Sequence, residues 1–306
     1  VVDTGSTDAT REVAESLGAK VARHPWNNSF GEARNVALEH SSGKWIFWMD
    51  ADDRIDPKAV QTLRKFIARA IPCGVFFPLE SRIGESDTVV KNYTLRMFPH
   101  AKGVRWQGAV HEQIAQSLRS SNIPLVNCPD FTVRHIGYES GEEVLQKNLR
   151  NLKLLSAELA ARPEDPYVLF ALAQAFLLCG QINAAARWLR ALWRLRDKTE
   201  NEAGKEIFWL AAIVLADCAG AAQNPAEAED WLNQAVELAP ENWLAYFLLG
   251  ERKLLSGDTE RAAHYLRLAQ DIGVSPTILP LDLHELGAKL DHYLKTLDEK
   301  AAPAFS

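Results

Sequence analysis

The apolar pattern of this chain changes its period near residue 140, and this change constrains the fold more than any other feature of the sequence. From Glu142 onward, apolar side chains recur at helical spacing and no strand pattern returns. Upstream, short apolar runs alternate with helical segments, which is typical of an α/β sheet. The sequence therefore predicts an α/β domain over residues 1–138 and an all-α domain over residues 139–306.

The all-α part contains an internal repeat, which aligns small residues at equivalent places in three predicted helix pairs. Ala228 and Ala262 are 34 residues apart, whereas Ala185 and Ala228 are 43 apart, which leaves room for an inserted loop around residues 197–205. A period of 34 residues in paired helices resembles that of tetratricopeptide repeats. We expect the small residues to serve helix packing, and the stacked repeats to offer an interaction surface.

Composition excludes several classes of protein. Residues 1–138 hold 17 Lys/Arg against 15 Asp/Glu and residues 139–306 hold 17 against 25, with no basic run, which argues against nucleic-acid binding. The apolar stretches are shorter than the roughly 18–20 residues that span a bilayer, so no transmembrane segment is predicted. The four cysteines form no C-x-x-C pair, which favours free thiols and a cytoplasmic location.

The strongest strand signal in the first half is the all-apolar run over residues 45–49, which ends in Asp50-Ala51-Asp52-Asp53. Such a run predicts a strand that is covered on both faces, within a mainly parallel sheet that has helices on both sides. Asp3 also follows a short apolar run. Because ligand sites of these sheets lie at the carboxyl ends of strands, we expect a site near Asp3 and Asp50.

Two acidic segments are candidates for binding a nucleotide and a cation. Asp50 and Asp52 are spaced to point to the same side of an extended chain, which suits a divalent cation shared with a diphosphate. Asp3 to Asp8 joins a strand to a helix, and backbone N–H groups near a helix N-terminus suit phosphate. The structural alternatives are an acidic surface turn and a helix N-cap.

Four further residues have side chains that could contribute to a site. Arg34 lies in a predicted helix and could bind a phosphate, or could simply be solvated. His111 and Glu112 follow a Gly/Trp-rich segment, and His135 ends a short strand-like run. For both histidines the alternative is a hydrogen-bonded structural role, and for Glu112 a plain surface charge.

Taken together, these motifs resemble family 2 glycosyltransferases of the GT-A fold, specifically a bacterial subgroup in which tetratricopeptide repeats follow the catalytic domain. The resemblance covers nearly the whole chain. It is carried by Asp3-Thr4-Gly5-Ser6-Thr7-Asp8-Ala9-Thr10, Phe30-Gly31-Glu32-Ala33-Arg34-Asn35, Asp50-Ala51-Asp52-Asp53, Trp106-x-Gly108-x-Val110-His111-Glu112 and His135-Ile136-Gly137-Tyr138.

The resemblance implies an inverting, metal-dependent transfer of a sugar from a nucleotide-diphosphate donor, with UDP favoured. Glu112 would be the general base. The cation, Mn²⁺ or Mg²⁺, would be held by Asp52 and His135. The nucleotide-sugar would be bound by Asp3, Asp8, Arg34, Asp50 and His111.

The resemblance also implies that the first strand and helix of such a domain precede Val1. Acceptors in this subgroup include peptides, proteins and glycans, possibly docked on the repeats, and residues 139–306 do not identify which applies. Two alternatives stay open. One is a repeat-based interaction protein with an inactive transferase-like domain, and the other is a nucleotidyltransferase, which would release pyrophosphate.

Overall fold

A computed structural model of the chain describes residues 1–82, 89–136, 141–198, 202–275, 279 and 281–301. The chain forms two compact units. The first comprises Val1–Gly84 and Tyr93–Pro163, and the second comprises Glu85–Asn92 and Glu164–Ser306. The predicted domain boundary between residues 138 and 139 lies outside the described residues, as do Gly137 and Tyr138 of the last motif, and the boundary stays a prediction.

Strands and helices alternate through the first part of the chain, as the apolar pattern predicts. In chain order the elements are β1 (Val2–Asp3), α1 (Thr10–Ser16), β2 (Ala22–Arg23), α2 (Phe30–Glu39), β3 (Trp45–Phe47), β4 (Asp53–Ile55), α3 (Ala59–Arg69), β5 (Gly74–Arg82), β6 (Val89–Pro99), α4 (Ala115–Ser120), β7 (Leu125–Asn127), β8 (Val133–His135) and α5 (Gly141–Ala161).

The strands form a two-stranded sheet, β1-β2, and a six-stranded sheet in the order β3-β6-β5-β8-β4, with β7 also paired to β5. The pairs β1–β2, β5–β7 and β5–β8 are parallel, whereas β3–β6 and β4–β8 are antiparallel. The sheet is therefore more mixed than the mainly parallel sheet predicted above. One physical reason is that only six residues separate β5 from β6, fewer than the dozen or so that a parallel crossover needs.

The two faces of the larger sheet carry separate apolar cores, as predicted for helices on both sides. On one face Phe98 and Ile46 pack with Leu38 of α2 and Leu118 of α4. On the other face the core includes Val75, Phe77, Met97, Phe131 and Val133 of the sheet region, with Leu63, Phe66 and Ile67 of α3 packed against it. Residues 45–48 of the apolar run are thus partly buried, with Ile46 and Trp48 packed on one core and Trp45 and Phe47 on the other. The prediction fails at Met49, which is 40% exposed and lies beyond the end of β3 at Phe47.

The second unit is built from helices, which pack as consecutive pairs. Fully buried Ala185, Ala228 and Ala262 lie in the second helix of each pair, which confirms their predicted packing role. A side chain at Gly250 would lie 2.6 Å from Leu266, so the third pair also depends on a small residue. The helices are α6 (Pro166–Leu178), α7 (Ile182–Trp193), α8 (Glu202–Ala221), α9 (Pro225–Leu238), α10 (Trp243–Leu255), α11 (Thr259–Ile272) and α12 (Leu283–Ala301), with a 3-10 turn at Arg196–Lys198.

Among the described residues, no helix combines the length and the apolar character that crossing a bilayer requires. The four cysteines are free thiols. Burial raises the pKa of the Cys73 and Cys218 thiols, which disfavours their reactive thiolate form.

Candidate active site

Arg34 connects two motifs that are far apart in the sequence. It lies on α2, which begins at Ser29, whose hydroxyl accepts a hydrogen bond from the Glu32 backbone N–H at 3.2 Å. The Arg34 Nη2 atom is 3.0 Å from Asp50 Oδ1, and its Nε donates to Glu112 Oε1. The candidate base and the first aspartate of the acidic turn are therefore held by one guanidinium.

Trp48 supports this guanidinium and that of a second arginine. The Cζ atoms of Arg34 and Arg96 lie 4.0 Å and 3.9 Å from the centroid of the Trp48 ring, within range of a cation–π interaction. The Trp48 indole N–H donates to the Leu95 carbonyl at 2.8 Å, which fixes the orientation of the ring. Trp48 thus provides an aromatic surface for both cations.

Arg96 extends the network toward the second half of the acidic turn. This arginine is buried in β6, and its Nη1 atom is 2.9 Å from Asp53 Oδ2 and 3.3 Å from Asp50 Oδ2. Burial lowers the pKa of Arg96 because the charged form loses solvation, while the two aspartates oppose this shift. Asp53 Oδ2 also accepts from the Asp50 backbone N–H at 2.8 Å, so the turn is folded around a buried carboxylate.

Asp52, Asp53 and His135 form a cluster that can hold a cation. The antiparallel pairing of β4 with β8 places Asp53 opposite His135. The His135 Nδ1 atom is 3.1 Å from Asp53 Oδ1 and 3.5 Å from Asp52 Oδ1. One potential ligand atom from each residue lies within 4.8 Å of the others. Two carboxylates and an imidazole fit Mn²⁺, whereas Mg²⁺ prefers oxygen ligands alone.

The segment that carries Glu112, residues 106–112, is fastened to α2 along its length. The Asn35 side chain accepts from Trp106 N at 2.8 Å and donates to Trp106 O at 3.0 Å. The Phe30 backbone N–H donates to the Ala109 carbonyl at 2.8 Å. A side chain at Gly31 would lie 2.4 Å from the Gly108 carbonyl oxygen, so this close approach requires glycine.

Two further contacts define segment 106–112. Gln107 and Gln113 exchange backbone hydrogen bonds of 2.9 Å and 2.7 Å, which close the segment into a loop. On α5, the Glu158 carboxylate accepts from the Ala109 N–H at 3.1 Å. His111 lies in this loop with a left-handed backbone (φ 52°), and its side chain reaches solvent.

Asp3 and Asp8 make their hydrogen bonds within the region from β1 to α1. Asp3 is buried and accepts from the Ser6 backbone N–H at 3.0 Å, while Asp8 accepts from Thr10 N at 3.1 Å and Thr10 Oγ1 at 2.6 Å. These hydrogen bonds lower the pKa of both carboxyl groups, with the Ser6 and Thr10 side chains as the largest causes. The N-cap residue of α1 is Ala9 and no side chain caps it, so Asp8 bonds Thr10 without being the N-cap. A nucleotide-binding role for Asp3 or Asp8 stays a prediction.

Three residues that are central to the network have little or no signal in the sequence. The sequence pattern predicts Asp53 only as part of the acidic turn, yet it is the buried member that contacts both Arg96 and His135. Arg96 gave one usable signal, because a charged residue between Leu95 and Met97 in a strand indicates a buried partner. The apolar run predicts Trp48 as part of the strand core, and no sequence pattern indicates its contact with the two guanidiniums.

Comparisons with known proteins point to the same family as the motifs. The family described as "Glycosyl transferase family 2" matches residues 1–119. A TPR repeat-containing protein of Synechococcus elongatus is 31% identical over 198 residues, which are 62% of this chain and 48% of the relative. The SPbeta prophage-derived glycosyltransferase SunS of Bacillus subtilis is 29% identical over 178 residues, which are 56% of this chain and 40% of the relative. The chain thus spans less than half the length of these two relatives.

Among solved structures, MamA is 18% identical with a TM-score of 0.37, and the match covers 54% of this chain and 96% of MamA. The Yersinia enterocolitica type III secretion chaperone SycD, solved with a peptide of the translocator YopD, is 19% identical with a TM-score of 0.37. That match covers 44% of this chain and 92% of SycD. Residues 1–119 therefore match the glycosyltransferase family 2 model, and helix pairs that resemble tetratricopeptide repeats follow them in the chain.

Proposed function

We propose that this protein is a metal-dependent, inverting glycosyltransferase that moves a sugar from a nucleotide-diphosphate donor to a peptide, protein or glycan. One observation carries the proposal. A continuous series of ion pairs runs from Glu112 through Arg34, Asp50 and Arg96 to Asp53, which contacts His135. A base and a cation cluster held in one network are what displacement of a diphosphate requires.

The donor end of the site is the cluster of Asp52, Asp53 and His135. Asp52 and His135 were expected from the motifs, and Asp53 joins them through its Oδ1 atom. A Mn²⁺ or Mg²⁺ ion held there would stabilise the negative charge that develops on the leaving diphosphate. Asp50 would contact the ribose, and Asp3, Asp8 and His111 would complete the nucleotide-sugar pocket.

Glu112 would act as the general base. Its carboxylate would take the proton of the acceptor nucleophile, which attacks the anomeric carbon while the bond from that carbon to the diphosphate oxygen breaks. Arg34 would keep Glu112 oriented during this step, because it donates to the carboxylate from a guanidinium that Asp50 also holds. The sugar would be transferred with inversion, and the nucleoside diphosphate would leave with the electron pair of the broken bond.

The repeat domain would supply acceptor specificity. UDP is proposed as the nucleotide because of the family resemblance alone. The four free cysteines favour a reducing compartment, and we place the protein in the cytoplasm on that basis.

The test is to incubate the chain with UDP-, GDP- and dTDP-sugars, Mn²⁺ and a panel of peptide and glycan acceptors, and to quantify the nucleotide products. We expect nucleoside diphosphate to be released with one donor. Glu112→Gln should abolish release, whereas Glu39→Gln, which removes an exposed carboxylate paired to Arg105, should not.

Other products would favour the alternatives. Release of pyrophosphate would indicate a nucleotidyltransferase. If no donor is consumed although the repeats bind a protein partner, the transferase-like domain is an inactive part of an interaction protein. Equal rates for wild type and Glu112→Gln would show that the base is assigned to the wrong residue.

A further inference from the structure

Helix α5 contacts the segment that carries Glu112 through the side chain of Glu158. The Oε1 and Oε2 atoms of Glu158 lie 3.2 Å and 3.1 Å from the Ala109 backbone nitrogen, whose N–H donates to this carboxylate. The Glu158 side chain is only 11% exposed, and it also pairs with Arg162, one residue beyond the end of the helix. Hydrogen bonds to an ionised carboxylate are stronger than those between neutral groups, so this contact is suited to holding the segment in place.

Helix α2 holds the Ala109 backbone from the other direction. The Ala109 carbonyl accepts a hydrogen bond of 2.8 Å from the backbone N–H of Phe30, the first residue of α2. Helix α5 reaches this region a second time, because the Arg150 guanidinium lies 5.3 Å from the centroid of the Phe30 ring. Ala109 is therefore fixed by two helices, at a position three residues before Glu112.

The residues between Ala109 and Glu112 depend on such an anchor. His111 has a left-handed backbone with φ 52°, which residues other than glycine rarely adopt. A backbone in that region persists only where the surrounding structure holds it. The Ala109 anchor lies on one side of His111. On the other side, Glu112 Oε1 accepts from Arg34 Nε. Release of Ala109 would therefore let His111 relax and carry Glu112 away from Arg34.

Close packing does not hold the segment against α5 at this point. A cavity of about 680 Å³ is lined by residues of α2, of segment 106–112 and of α5, among them Val36, Ala109 and Leu154. Space of this size leaves room for the segment to shift, because side chains of the described residues do not fill it. The Glu158 hydrogen bond is therefore the contact that fixes the distance between α5 and Ala109.

We propose that Glu158 is a positioning residue for the general base, which sets the place of Glu112 by holding Ala109. The inference rests on the proposed function, in which Glu112 takes the proton of the acceptor. A misplacement of about 1 Å can cost about a hundredfold in rate. Loss of Glu158 therefore slows the chemical step, while the cation cluster that contains Asp52 and His135 keeps its affinity for the donor.

The test is steady-state transfer by the full 306-residue chain with Mn²⁺ and the donor that releases most nucleoside diphosphate. Glu158→Ala should lower kcat at least about tenfold and leave the KM for the donor within about twofold of wild type. Glu158→Gln keeps an oxygen that can accept from the Ala109 N–H but loses the charge that pairs with Arg162, so its kcat should stay within about threefold of wild type. Glu142→Ala removes an exposed carboxylate from the same helix and should change neither quantity.

Hydrogen exchange followed by mass spectrometry reports on the segment without the reaction. Residues 107–112 should exchange faster in Glu158→Ala than in wild type, because the segment is released from α5. Glu158→Gln and Glu142→Ala should exchange as wild type does. Exchange in α3 should be the same in all four proteins, whereas a general loss of stability would raise it there as well.

Four results would overturn the proposal. They are equal kcat for Glu158→Ala and wild type, equal losses of kcat in Glu158→Ala and Glu158→Gln, unchanged exchange across residues 107–112 in Glu158→Ala, and faster exchange in α3 to the same extent as in the segment.

Failure of the proposed function has a different signature. If the wild-type chain releases no nucleoside diphosphate from any donor, the proposed function is wrong, and hydrogen exchange alone then decides whether Glu158 holds the segment. Faster exchange across residues 107–112 in Glu158→Ala but not in Glu158→Gln would support that contact, and unchanged exchange would refute it.

Discussion

The guanidinium of Arg96 lies 2.9 Å from the carboxylate of Asp53, and the two side chains are 3% and 0% exposed. A buried ion pair of this kind adds little net stability, but breaking it leaves an uncompensated charge in the interior. The pair also holds Asp53 so that its other oxygen faces His135. The relationship therefore connects the stability of the fold with the geometry of the cation cluster.

Replacing Arg96 with methionine should destabilise the protein strongly. Asp53 would lose its buried partner, and breaking such a pair costs about 3–5 kcal/mol. Urea unfolding followed by circular dichroism measures the loss. The matched control is Arg105→Met, because Arg105 pairs with Glu39 at 2.8 Å while both side chains are 56% exposed. That variant should lose no more than about 1 kcal/mol. Equal losses of unfolding free energy in Arg96→Met and Arg105→Met would show that burial of the Arg96–Asp53 pair does not determine the cost of breaking it.

Replacing Gly31 with alanine should displace the loop that carries Glu112. The added methyl group would lie 2.4 Å from the Gly108 carbonyl oxygen, so the backbone must shift, at a cost of about 1–3 kcal/mol. Transfer activity should fall with it. Gly287→Ala on α12 is the opposite case, because nothing lies within 4 Å of the new methyl group. It should gain up to about 1 kcal/mol from helix propensity. If urea unfolding showed that Gly31→Ala and Gly287→Ala change the unfolding free energy in the same direction, the steric argument would be wrong.

Replacing Arg34 with lysine should reduce transfer more than it reduces stability. A lysine keeps the charge but cannot donate to Asp50 and Glu112 with the geometry of a guanidinium, nor lie flat over Trp48. We expect the transfer rate to fall at least about tenfold, with a change in unfolding free energy below about 1 kcal/mol. Arg23→Lys, at an exposed position in β2, should change neither quantity. A full rate for Arg34→Lys would show that the bridge is not needed.

Replacing His135 with alanine should weaken cation binding. Mn²⁺ titration followed by electron paramagnetic resonance should give a dissociation constant at least about tenfold higher than that of wild type, because an imidazole ligand is lost. His100→Ala is the control for the loss of a histidine, because His100 is not a member of the cation cluster. Its ring lies 3.3 Å from the Gly43 carbonyl oxygen instead. Unchanged Mn²⁺ affinity in the His135 variant would exclude this histidine as a ligand.

Several of these features were predictable because the sequence carries them as local patterns. The run over residues 45–49 predicted a strand covered on both faces, and Ala185, Ala228 and Ala262 predicted the packing of the helix pairs. Glu112, Asp52 and His135 were singled out by motif. The structure brings the last two together because β4 pairs with β8.

The features that could not be predicted depend on pairings between distant segments. The contact between Arg96 and Asp53 exists because β6 and the acidic turn meet in the fold. The residue pattern of neither segment indicates that the other will lie beside it. The mixed strand orientation depends on the connections between strands rather than on their apolar content. Trp48 is a large apolar residue of the kind expected in a core. Its cation–π contact with Arg34 depends on where α2 packs, which the sequence around Trp48 does not indicate.

The most direct test of the central account is the unfolding temperature of the chain with UDP, GDP and dTDP, each with and without Mn²⁺. We expect a metal-dependent rise with one nucleotide, equivalent to about 2.7 kcal/mol of unfolding free energy when the nucleotide is at 100 times its dissociation constant. Asp52→Asn should lose this rise, whereas Asp130→Asn, at an exposed position, should keep it. A well-folded protein that shows no rise with any nucleotide, or the same rise in Asp52→Asn, would contradict a cation-dependent nucleotide site at Asp52, Asp53 and His135.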